Sequence, residues 1–134
     1  MSATVHVLLV DDEPDFVEPL AFWLQAKGYR VSTAANGREA VQRVKQDSPD
    51  IIFLDIHMKE MDGLEALRQI RAFNRDLPVI MVTATGHVEE NFRKAKELGV
   101  SGFFPKHTSL SELSRIIEAS LRSHVKLKSS KTDQ

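Results

Sequence analysis

The stretch Ile51–Gly63, IIFLDIHMKEMDG, runs four apolar residues straight into a lone carboxylate, Asp55. An ionised aspartate at the end of a buried strand is costly unless something pairs with it. Two expectations follow: IIFL is a strand covered on both faces, and residues from elsewhere in the chain arrive beside Asp55.

Outward from that stretch, short apolar, β-branched runs alternate with amphipathic segments. The predicted strands are Val5–Val10, Arg30–Ala34, Ile51–Leu54, Val79–Val82 and Gly102–Phe104. The predicted helices lie at about 14–28, 37–47, 63–73, 87–98 and 110–122. Phe16, Leu20 and Leu24 recur at helical spacing beside Val17 and Ala21; Phe92, Ala95 and Leu98 share a face, as do Leu110, Leu113, Ile117 and Leu121. Gly28 is a helix stop, Asn36 with Glu39 a helix start, and Ser109 with Glu112 a capping box. Strand–helix alternation with nearly continuous apolar strands predicts an α/β fold, a parallel sheet with helices on both faces. From Ser123 (SHVKLKSSKTDQ) the apolar periodicity ends, which divides the chain into one domain over 1–122 and a tail or linker stub over 123–134.

Composition bounds the function. The 134 residues are 42% hydrophobic and 28% charged, an ordinary globular mix long enough for a substantial core. The formal net charge of −1 offers no basic field for nucleic acid. The absence of cysteine excludes disulfides, thiolate metal sites and cysteine nucleophiles, and fits a reducing compartment. No apolar run approaches a membrane span, and the start MSATVHVLLVDDE lacks a basic leader. The expectation is a soluble, cytoplasmic single domain.

In an open parallel sheet, ligands bind at the carboxyl ends of the strands. There the sequence sets Asp11, Asp12 and Glu13 after the first strand, Asp55 after the third, Thr83 after the fourth and, across Pro105, Lys106 after the fifth. Carboxylates, a hydroxyl and a cation are the groups that metal-assisted phosphoryl transfer needs. Crowded carboxylates raise one another's pKa, and a divalent cation keeps them ionised. Mg²⁺ takes one or two protein carboxylates and leaves positions for water and phosphate oxygens. A carboxylate can then act as nucleophile, with a lysine and a hydroxyl meeting the charge on the phosphoryl oxygens.

VDDE (10–13), LDIHMKEMDGLEAL (54–67), VTA (82–84) and GVSGFFPK (99–106), in that order and spacing, resemble the receiver domain of two-component response regulators over about residues 5–122. The resemblance implies a five-stranded parallel sheet in the order 2-1-3-4-5. It implies Asp55 as phosphoacceptor, Asp12 as direct Mg²⁺ ligand (Mn²⁺ substituting), Asp11 acting through water, and the His57 backbone carbonyl as third protein ligand. Thr83 would be the switch hydroxyl, Lys106 its cationic partner and Phe103 the switch aromatic, while His57 and Thr85 flank the attacking water and tune phosphoryl lifetime. The implied donor is a histidine kinase or phosphotransfer protein, and the implied output surface is the fourth helix, fifth strand and fifth helix. A homodimer through the fourth and fifth helices is left open. The domain would be no conventional enzyme, catalysing only its own phosphorylation and slow dephosphorylation.

Three positions depart from the family pattern. Lys59 stands where a proline is common, Pro105-Lys106-His107 reverses the usual Lys-Pro order, and Phe103 lacks a hydroxyl. Blander readings exist for each residue: acidic residues ahead of a helix also cap it, Lys106 can be a solvated lysine, Phe103 can be core alone, and the five histidines show no ligand spacing. Two rival functions are a pseudo-receiver used only for docking and a small aspartyl-phosphate phosphatase. The latter usually has an acid/base aspartate two residues after the nucleophile, where this chain has His57. A nucleotide-binding flavodoxin-like domain is weakest, since no glycine-rich phosphate loop is present.

Overall fold

A computed structural model describes residues 4–58, 60–83, 89–106 and 108–132; the side chains of 89, 90 and 123–132 are not described. The order is β1 (His6–Val10), α1 (Pro14–Ala26), β2 (Arg30–Ala34), α2 (Gly37–Asp47), β3 (Ile51–Asp55), α3 (Gly63–Phe73), β4 (Val79–Thr83), α4 (Glu89–Glu97), β5 (Gly102–Pro105) and α5 (Leu110–Thr132). All neighbouring strands pair in parallel, in the order β2-β1-β3-β4-β5, as expected.

The pleat sorts the core into two layers, because successive side chains point to opposite faces. Leu8 and Val10 of β1, Ile52 and Leu54 of β3, and Val79 and Met81 of β4 pack with Val41, Val44, Leu67, Ile70 and Ala95 of α2, α3 and α4. Val7 and Leu9, Ile51 and Phe53, Ile80 and Val82, and Phe104 pack instead with Leu20, Leu24, Leu113 and Ile117 of α1 and α5. A sheet covered on both faces explains the unbroken apolar runs.

The helix ends carry the expected caps. Glu39 N donates to Asn36 Oδ1 at 2.8 Å, and Glu112 N to Ser109 Oγ at 3.3 Å. Gly28 (φ +98°) follows the last turn of α1, and its N–H donates to Gln25 O. Trp23 is partly buried against the α1/α5 layer, while Met58 and Met61 pack on the opposite one. His6 is a structural histidine, buried with Nε2 2.6 Å from Ser32 Oγ.

The bounds differ in instructive ways. β3, β4 and β5 each run one residue beyond the predicted end, so Asp55, Thr83 and Pro105 are terminal strand residues. The ladder continues through them: Asp55 pairs with Val82 and Thr83 with Pro105. α5 continues ten residues past 122, through Thr132. Once a helix is nucleated, each added residue gains one backbone hydrogen bond. Leu110, assigned to the buried face of α5, is 40% exposed because it occupies the first turn. Among the described residues there is no cis peptide bond, so Phe104–Pro105 is trans. No helix, among the described residues, is long and apolar enough to cross a membrane.

Candidate phosphoacceptor site

Strand pairing and pleat together assemble the site. In β1 and β3 the residues packed toward α1 and α5 are Val7 and Leu9, and Ile51 and Phe53, and the same alternation carries on to Asp11 and Asp55. In β5 it leads from Phe104 to Lys106. Because β1, β3 and β4 are neighbours with β5 outside β4, these residues reach one rim of the sheet. Oxygen atoms of Asp11, Asp12 and Asp55 lie within 4.8 Å of one another. Lys106 Nζ lies 3.5 Å from Asp55 Oδ2, 3.0 Å from Asp11 Oδ2 and 3.3 Å from Asp11 Oδ1, and it is hydrogen-bonded to Glu13 Oε1. The Lys106 side chain is only 7% exposed, with Nζ 5.3 Å from the centre of the Phe16 ring. This lysine is therefore not a solvated surface cation.

Asp55 is 2% exposed. Burial first, and the nearby Asp11 charge second, push its carboxyl up to about 6, against the opposing pull of Lys106. Burial likewise raises Asp11, although Lys106 and the Glu13 N–H oppose it. Burial disfavours the Lys106 ammonium, but Glu13, Asp11 and Asp55 outweigh it and hold its pKa above the ordinary lysine value. Asp55 Oδ1 accepts from His57 N at 3.4 Å, a long bond, and Asp11 Oδ1 from Glu13 N at 2.9 Å. Asp11 thus ties the turn into α1 while also lining the site.

The donor set fits a hard divalent cation. All three groups are carboxylates, two of them buried. Asp11 Oδ2 is enclosed and lacks a hydrogen bond, since Lys106 Nζ at 3.0 Å contacts it as an ion pair without hydrogen-bond alignment. A cation held by oxygen ligands is the usual occupant of such a set.

The remaining predicted residues are placed unevenly. Thr83 ends β4, half-buried, and its carbonyl accepts from Lys106 N at 2.8 Å; its hydroxyl makes no hydrogen bond to any described residue. By strand alternation it belongs with Val79 and Met81 on the α4 side, where Phe103 also packs. The imidazole of His57 is exposed. Thr85, Lys59, His87 and His107 lie outside the described residues.

Two participants were not assigned from sequence. Glu13 entered only as the third acid of VDDE, yet it grips Lys106. Gly63, read only as part of MDG, has its N–H donating to Ile56 O at 2.9 Å; a Cβ there would stand 2.1 Å from Asp55 O. The start of α3 is thereby seated directly on the backbone of the Asp55 turn.

This fold and this acidic rim define a receiver domain, and the chain belongs to the response regulator receiver domain family of two-component systems, whose model matches residues 7–118. Among curated proteins it is 38% identical over 118 residues to response regulator MprA of Mycolicibacterium vanbaalenii, covering 88% of this chain and 51% of that protein. MprA of Mycobacterium leprae shows the same identity and coverage. The chain spans about half the length of these relatives. Among solved structures, chemotaxis protein CheY4 of Vibrio cholerae superposes with a TM-score of 0.80 at 30% identity, covering 89% of this chain and 100% of that one. A CheY-like receiver domain protein of Methanospirillum hungatei, at 23% identity, shares the fold with a TM-score of 0.88 over 92% of this chain and 98% of the other.

Proposed function

We propose that Asp55 is the phosphoacceptor of this receiver domain. One Asp55 oxygen attacks the phosphorus of a phosphohistidine on a histidine kinase or phosphotransfer protein. The new O–P bond forms as the N–P bond breaks, and the imidazole leaves. The observation that carries this reading is the nearly complete burial of Asp55 between the carboxylates of Asp11 and Asp12 and the Lys106 ammonium. Asp11, Asp12, Asp55 and the His57 backbone carbonyl would hold Mg²⁺, or Mn²⁺ in its place, and the metal when bound supplies charge neutralisation for the phosphoryl oxygens.

Lys106 pairs with a phosphoryl oxygen and Thr83 donates a hydrogen bond to another. Recruitment of Thr83, on the Phe103 side of the sheet, biases the packing of Phe103 and so the α4–β5–α5 face read by partners. His57 and Thr85 tune the slow hydrolysis that resets the switch. The domain acts as a switch that turns over only its own phosphoryl group.

The test is incubation with acetyl phosphate and Mg²⁺. Uptake of one acid-labile, hydroxylamine-sensitive phosphoryl group, abolished in Asp55→Asn, is the expected result. Uptake by Asp55→Asn on an acid-stable bond overturns the assignment.

A further inference from the structure

Three carboxylates converge on the Lys106 ammonium, and they are not equivalent. The side chains of Asp11 and Asp55 are each 3% exposed, whereas that of Glu13 is 59% exposed. Glu13 is also not one of the three acids grouped as metal donors. It is the N-cap residue of α1, yet its side chain makes no capping hydrogen bond. Its backbone carbonyl accepts from Phe16 N and Val17 N at 3.0 and 3.1 Å, and Pro14, which opens the helix, has no N–H to cap. Its carboxylate reaches instead across the sheet to a residue 93 positions away.

We propose that Glu13 is a positioning residue that tethers the Lys106 ammonium beside Asp11 and limits its pairing with a phosphoryl group on Asp55. The proposal rests on the reading of Asp55 as phosphoacceptor. Physical chemistry makes Glu13 the partner that can let go. A mostly solvated carboxylate recovers hydration when its cation leaves, while buried Asp11 and Asp55 cannot. A phosphoryl group, with more charge and more acceptor oxygens than a carboxylate, draws the ammonium away. Each phosphorylation then includes the exchange of a Glu13–Lys106 pair for a phosphoryl–Lys106 pair, and Glu13 sets its equilibrium.

The test is the affinity of the domain for beryllofluoride in saturating Mg²⁺, measured by calorimetry or ¹⁹F NMR, in a double-mutant cycle. Glu13→Gln is expected to bind about 2- to 5-fold more tightly than the unaltered protein, the range of an exposed ion pair. Glu13→Asp, which keeps the charge but is one methylene short, is expected to tighten similarly. In a Lys106→Met background, which keeps a long unbranched side chain but removes the charge, the Glu13→Gln effect is expected to vanish. Thermal melts establish that each variant folds.

Unchanged affinity in Glu13→Gln overturns the tether. So does a gain that survives undiminished with Lys106→Met, or one absent from Glu13→Asp, since either would mark a general field of negative charge. If the unaltered protein binds no more beryllofluoride than Asp55→Asn does, the acceptor reading itself fails and the tether falls with it.

Discussion

The rings of Phe92 and Phe103 meet with centroids 4.0 Å apart and planes tilted by 47°. One ring stands on α4 and the other on β5, so this contact joins the helix behind the β4 end to the strand that delivers Lys106. Phe103 is therefore held by packing, as its missing hydroxyl requires. Phe92→Ala removes a half-buried ring and is expected to lower stability by about 1–2 kcal/mol, less than for a fully buried phenylalanine. It should also move the Phe103 ring resonances toward solvent-exposed values. Urea unfolding and aromatic NMR check both, and unmoved Phe103 signals would contradict the contact.

Stability should depend on pH through Asp55. Its folded-state pKa of about 6 lies above the unfolded carboxyl value, so folding favours the protonated form. That contribution is full below about pH 4 and is lost as pH rises through 6, at about 1.4 kcal/mol per pKa unit. Asp11, raised in the same direction, adds to the trend. Metal-free protein should thus lose stability between pH 4 and 6, and Asp55→Asn should flatten the curve. Mg²⁺, which binds the ionised carboxylates, should stabilise the protein more at pH 7 than at pH 5 in thermal melts.

At Gly63 the conflict is steric. A Cβ 2.1 Å from Asp55 O forces backbone to move, not a side-chain tip. Gly63→Ala is expected to cost about 1–3 kcal/mol by overpacking and to weaken Mg²⁺ binding by displacing the Asp55 turn. Chemical denaturation and a metal titration report the two effects separately. Loss of stability with unaltered metal affinity would show that the turn holds its shape without this seat.

Arg71 offers a mutation remote from the site. Its guanidinium donates to Leu98 O at 2.7 Å, Gly99 O at 3.0 Å and Asn74 O at 3.1 Å, joining the ends of α3 and α4. Arg71→Ala strips charge-assisted bonds from three carbonyls and is expected to destabilise by about 2–3 kcal/mol. Phosphoryl uptake by the folded fraction should stay intact. A stability change below about 0.5 kcal/mol, the scale of ordinary surface substitutions, would mean that water replaces the clamp.

Local periodicity made the architecture readable before any coordinates. Alternation of apolar runs with helical faces marks elements because each must bury its apolar side, and Asn36 and Ser109 mark helix starts because exposed amides need acceptors there. The same alternation put Asp11, Asp55 and Lys106 at one edge, since strand ends in a parallel sheet share a side. Strand limits escaped by one residue, because Asp55 and Thr83 are held in the ladder by neighbours distant in sequence. The acidic sequence VDDE could not reveal that its last member, Glu13, faces Lys106. A lysine stem and a glutamate side chain are long and flexible, so which charges meet is settled by strand register and by how α1 enters. Those relations exist only after residues 13 and 106 have been brought together by the fold.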